Sequence, residues 1–116
     1  MGRRMLAAMI PLLAGTRILE LSAVVMGPFA GQILADLGAE VIKVEPIEGD
    51  VARASHPRAN GMGALYVNNN RNKRAIAVDL KSQGGKAIVD KLIQRSDVLL
   101  HNMRPDAADR LGLSYD

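Results

Sequence analysis

Residues 17–46 restrict the fold of this chain more than any other stretch. Arg17 to Leu21 (RILEL) is a short apolar run with strand character. The segment after it repeats apolar residues at helical spacing and places Phe29, Ile33, Leu34 and Leu37 on one side. Pro28 suits the first turn of that helix, and Gly38 suits its C-terminal cap. Val41 to Val44 (VIKV) follows as a second strand and stops at Glu45-Pro46. Strand, helix and strand joined by turns this short imply a right-handed βαβ unit with parallel strands.

The remainder extends that unit. From Pro46 to about Gly63 the chain is polar and irregular, as a long surface loop reads. Ala75 to Leu80 (AIAVDL) is a third strand candidate. Ser82 can cap a helix from about Gln83 to Arg95, whose amphipathic face carries Ile88, Leu92 and Arg95 with Val89 and Ile93 beside it. Asp97 to Leu100 (DVLL) is a fourth strand, and a helix starts after Pro105. The fold class is α/β: an open, mostly parallel sheet with flanking helices. With 116 residues the chain is sized for one domain. Residues 1–10 read as an N-terminal extension. The opening MGRRMLAAMIPLLAG imitates a secretory signal, yet Pro11 to Gly15 leads straight into the first strand, so cleavage near Gly15 would trim the fold. The expected setting is the cytoplasm.

Composition removes several function classes. With no cysteine, disulfides, thiolate zinc sites and a cysteine nucleophile are excluded. His56 and His101 stand far apart and offer no short-range ligand pair, so no metal is expected. A net charge of +3 suits an anionic small ligand but is too diffuse to announce nucleic acid. One phenylalanine, two tyrosines and no tryptophan leave few platforms on which bases could stack. The apolar run near the N-terminus is too short to span a bilayer, and no membrane partner is expected.

Ligands of such sheets collect at the carboxyl ends of the strands, here Ser22 to Met26, Glu45-Pro46, Val78 to Lys81 and His101 to Arg104. The turn GPFAG (27–31) lacks the three-glycine spacing of a dinucleotide fingerprint, although Glu45 stands where an acidic residue could bind a ribose hydroxyl. Gly84-Gly85-Lys86 is no phosphate loop, because Leu80 and Ala87 occupy positions that need glycine and serine or threonine. The stretch NNNRNKRAIAVDLK (68–81) sets Arg71, Lys73 and Arg74 before a strand and Lys81 after it. It reads either as a solvated charged edge or as a ligand contact. A five-residue strand spans roughly 17 Å, so cations at both ends cannot reach one ligand, and Lys81 is the better placed.

Taken together, these stretches resemble the N-terminal part of the class III CoA-transferases, the family that includes formyl-CoA transferase, carnitine CoA-transferase and α-methylacyl-CoA racemase. The matching residues are Pro11-Leu12 with Gly15 and RILEL, Gly27-Pro28, LADLGAEVIKVEP with Gly49-Asp50 and Arg53, NRNKRAIAVDLK, and SDVLLHNMRPDAADRLGL. Several motifs in fixed order make the resemblance specific, and it covers nearly everything from Pro11 onward.

The resemblance implies a Rossmann-like domain that binds coenzyme A, with residues 11–116 as its N-terminal segment. It implies CoA contacts at Val25 and Met26, at Val78, Asp79, Leu80 and Lys81, at Asn102, Met103 and Arg104, and at Arg110. Lys81 and Arg110 are expected to grip the phosphates through charge-assisted hydrogen bonds. For Val25, Val78 and Leu80, plain core packing is the competing reading; for Arg110 it is a surface arginine on a helix. Three positions depart from the family pattern. Pro46 stands where some members carry a CoA-binding arginine, a role Arg53 could take over; Met103 replaces a commoner phenylalanine; and Asp106 stands where glycine is frequent.

Implied substrates are an acyl-CoA and a carboxylic acid, and the implied full-length assembly is a homodimer. Family transferases use an aspartate nucleophile, and racemase members an acid/base pair, in both cases well beyond the segment resembled here. No aspartate of this chain occupies the nucleophile's context, so no catalytic residue is assigned. The chain is expected to be an N-terminal fragment that does not catalyse alone. The alternatives are an α-methylacyl-CoA racemase-type member of the family and a stand-alone Rossmann-like module that binds NAD or another nucleotide.

Overall fold

The computed structural model describes residues 11–115. Its elements are β1 (Arg17–Leu21), α1 (Met26–Asp36), β2 (Glu40–Glu45), a 3₁₀ turn (Val51–Ala54), β3 (Arg58–Ala59), β4 (Met62–Gly63), α2 (Ala64–Asn70), β5 (Lys73–Ala77), α3 (Gln83–Gln94), β6 (Val98–His101) and α4 (Pro105–Arg110). Four strands form one parallel sheet in the order β5-β2-β1-β6, and β3 and β4 make a small antiparallel ribbon. The open, parallel α/β architecture is the one expected from the sequence. After β5 the chain crosses back to the far side of β1, so its direction of travel reverses between β1 and β6. Crevices at such a reversal are where open α/β sheets bind ligands.

Side chains alternate across the sheet with the period of a strand. Leu19 and Leu21 point to one face, where they bury with Val44, Val78 and Val89, and Leu92, Ile93, Leu99 and Met103 pack against this cluster. Ile18 and Val41 point to the other face, against Ala35 and Ala39. α1 ends as expected at Gly38, which takes φ +100° while Ala39 N donates to Leu34 O at 3.1 Å. Ser82 caps α3 by accepting from Gly85 N at 3.0 Å, and Pro105 opens α4.

The structure differs from the sequence reading in three places. α1 buries Gly27, Pro28, Gly31, Gln32 and Ala35, whereas Phe29 is 51% and Ile33 44% exposed. The helix lies on the sheet by its small residues because charged side chains fill the space beneath it. The third strand runs from Lys73 to Ala77 rather than Ala75 to Leu80. It ends early because Asp79 forms a turn, its carboxylate accepting from Lys81 N at 2.9 Å and its carbonyl from the Ser82 hydroxyl at 2.9 Å. The expected loop from Pro46 to Gly63 contains the 3₁₀ turn and the β3–β4 ribbon, and α2 follows it directly.

Candidate functional site

A cleft of about 740 Å³ opens at the carboxyl ends of the strands. Val44 and Pro46 form one wall, Val78, Leu80 and Lys81 another, and Met103 with Leu111 a third. The turn after β5 builds the second wall. Because the strand ends at Ala77, Val78 buries at 3% exposure, with its N–H on Glu45 O at 2.8 Å, and Asp79 and Lys81 are left exposed. Five of the ten residues singled out from the sequence (Val78, Asp79, Leu80, Lys81 and Met103) therefore meet at one place. The walls are mostly apolar, and the rim carries the Lys81 ammonium beside the carboxylates of Glu48 and Asp79, as suits a ligand with an apolar body and polar groups.

The other five lie elsewhere. Val25 and Met26 start α1 with side chains turned to solvent, Met26 at 80% exposure. Asn102 follows β6, and its amide is taken up by the backbone of Ala23 at 2.9 and 3.1 Å. Arg104 is an exposed residue at the N-cap of α4. Arg110 does not share the cleft with Lys81. Asp106, one helical turn earlier, draws its guanidinium along the surface of α4 at 3.1 Å. Of the two cations expected to grip the phosphates, Lys81 lines this cleft and Arg110 lies exposed on α4.

Beneath α1 lies a charged cluster that the sequence reading missed. Glu20 and Lys43 stand opposite each other in the β1–β2 register and are wholly buried. Lys43 Nζ lies 3.3 Å from Glu20 Oε1 and 3.0 Å from Asp50 Oδ2, and it donates to Ser22 O at 2.8 Å. Lys73 reaches in from β5 to Glu20 Oε2 at 2.7 Å and also donates to Pro28 O at 2.7 Å and Asn70 Oδ1 at 3.0 Å. Burial pushes the Lys73 ammonium below its ordinary range, against the pull of Glu20. Two carboxylates and two ammonium groups balance, which is what makes this burial tolerable. The one available signal was that Glu20 and Lys43 are charges in the middle of short apolar strands.

Glu45 belongs to a neighbouring cluster. Its Oε2 accepts from Arg53 Nε at 2.7 Å and Asp50 N at 2.9 Å, and its Oε1 accepts from Arg53 Nη2 at 2.9 Å and from the Tyr66 hydroxyl. Arg53 also stacks 3.9 Å over the Tyr66 ring. Burial alone would raise the Glu45 carboxyl, but the bonds from Arg53, Tyr66 and Asp50 outweigh it and hold the group at about 2. Burial and the bond to Glu45 push the Tyr66 phenol up. Glu45 is 3% exposed and fully engaged, so it cannot take a ribose hydroxyl. Arg53, which could stand in for the arginine absent at Pro46, is engaged by the same contacts with Glu45 and Tyr66.

Among the described residues there is no group of three or more His, Asp or Glu side chains placed to hold a metal. No described helix is long and apolar enough to cross a membrane.

Comparison with known proteins places this geometry. The chain is 45% identical over 114 residues to succinate–glutarate CoA-transferase of Agrobacterium fabrum, covering 91% of this chain and 28% of that one. It is 43% identical over 105 residues to formyl-CoA:oxalate CoA-transferase of Streptomyces coelicolor, covering 90% of this chain and 26% of that one. The crystal structure of a CAIB/BAIF family protein from Brucella suis superposes with a TM-score of 0.82 at 37% identity, over 88% of this chain and 28% of that one. The chain thus spans little more than a quarter of the length of these relatives. The profile describing CoA-transferase family III matches residues 13–116. With the parallel sheet, its switch-point cleft and these likenesses in agreement, the chain belongs to CoA-transferase family III.

Proposed function

We propose that residues 11–116 form the coenzyme A-binding segment of an enzyme that moves CoA from an acyl-CoA thioester to a carboxylic acid. Residues 1–10 are an extension to it. One observation carries this reading: Val78, Asp79, Leu80, Lys81 and Met103 line a single cleft at the strand ends. Lys81 supplies a charge-assisted hydrogen bond to a CoA phosphate, and the apolar walls at Val44, Val78, Leu80 and Met103 hold the rest of the carrier. The nucleophile is an aspartate outside this chain. Its carboxylate attacks the thioester carbonyl and expels CoA thiolate to give a mixed anhydride. The thiolate attacks the aspartyl carbonyl and expels the donor carboxylate, leaving an aspartyl-CoA thioester. The acceptor carboxylate reverses the two steps to leave as its own CoA thioester and free the aspartate. The complete enzyme acts as a cytoplasmic homodimer on this reading, and neither metal, nucleic acid nor membrane enters it.

Separate calorimetric titrations of the chain with CoA and with NAD test the proposal. CoA binding with little or no NAD binding is expected. Lys81→Ala should weaken CoA binding by about tenfold, the loss of one charge-assisted bond. Preference for NAD, or no affinity for CoA, overturns the reading.

A further inference from the structure

Between β1 and α1 the backbone takes a conformation its own side chains do not favour. Val24 lies in the left-handed region at φ 71°, where a β-branched residue is rare. Its side chain is 43% exposed, so packing does not hold it there. The side chains of Asn102 and Asp50 do. The β1–β6 ladder stops at Leu21 and His101. One residue beyond, the Asn102 amide accepts from Ala23 N at 3.1 Å and donates to Ala23 O at 2.9 Å, adding a rung made by a side chain. On the opposite side Val24 N lies 3.2 and 3.3 Å from the two oxygens of the buried Asp50 carboxylate. Asp50 is fixed by Lys43, which also holds Ser22 O. Ala23 borders the cleft, and Val25 and Met26 follow at the start of α1.

We propose that Asn102 and Asp50 are positioning residues that clamp the Ala23–Val25 turn from both sides, presetting the wall of the cleft for its ligand. Asn102 thus acts through the turn rather than by touching the ligand. The inference rests on the coenzyme A reading for the identity of the ligand, and not for the clamp.

NMR of the isotopically labelled chain and calorimetry with CoA test it together. In Asn102→Ala, the Val24 Cα and Cβ shifts and HN–Hα coupling should leave the left-handed pattern, and CoA affinity should fall about tenfold as the competent turn becomes a minor conformer. Adding Val24→Gly should recover most of that loss, because glycine takes positive φ at no steric cost. Asp50→Asn should act alike; should it fail to fold, the exposed Asn102 site carries the test. Unchanged Val24 signals in Asn102→Ala overturn the clamp. So does a loss of affinity that Val24→Gly does not recover, which would make Asn102 a direct ligand contact. If the unaltered chain binds no CoA, the proposed function falls, while the Val24 signals still decide the clamp.

Discussion

A methyl group at position 31 would have nowhere to go. The Cβ it brings would collide with the Glu20 carboxylate and sit 3.2 Å from Lys73 Nζ, both of them buried. Gly31→Ala is therefore expected to cost about 3 kcal/mol or more, measured by urea unfolding, since it must displace a buried ion pair rather than a flexible tip. At this scale the sequence was legible where a residue's role follows from its own place in the chain. Gly38 and Ser82 at helix ends are such cases. It was not legible where the role depends on what stands opposite. Glu20 and Lys43 bury only because parallel pairing sets them side by side, and Arg110 pairs with Asp106 on its own helix.

Among the elements, the βαβ unit could be read because periodicity and end signals agree over thirty residues. α2 could not. Its seven residues, ALYVNNN, include three asparagines and a valine, poor helix formers, and tertiary contacts hold it: the Tyr66 hydroxyl donates to Glu45, and Arg53 stacks on the Tyr66 ring. This attachment makes an acid-sensitive joint between β2 and α2. Glu45 titrates at about 2 when folded against an ordinary 4.5, so the stability it contributes is complete above the ordinary value and is lost as pH falls from there toward 2. Each unit of that depression is worth about 1.4 kcal/mol. Chemical unfolding followed across this acid range should show a steep decline in the unaltered chain and a flatter one in Glu45→Gln. Tyr66→Phe removes one of the bonds that lower the carboxyl, so its decline should be smaller and should level off at higher pH. A slope that Glu45→Gln leaves unaltered would contradict the assignment.

For the molecule as a whole, the sheet's parallel character was readable but its order was not, because no local pattern tells which edge β6 joins. Of the apolar residues that share one side of the first helix pattern, Leu34 packs on the Ile18–Val41 cluster, whereas Phe29 and Ile33 do not bury. Met26, Phe29 and Ile33 follow one another at helical spacing and remain exposed, an apolar stripe of the kind that promotes association. Sedimentation of the chain should show self-association rising with concentration, and Phe29→Lys combined with Ile33→Lys should reduce it without altering the circular dichroism spectrum; a monomer at every concentration would contradict this. The charges under the same helix bear on how the protein can change over generations. Glu20, Lys43, Asp50 and Lys73 come from four separate stretches of chain, and replacing any one alone strands its counterpart in the interior. A lineage can leave that arrangement only through a crippled intermediate or by exchanging partners together, whereas an exposed pair such as Asp106 and Arg110 can change one codon at a time.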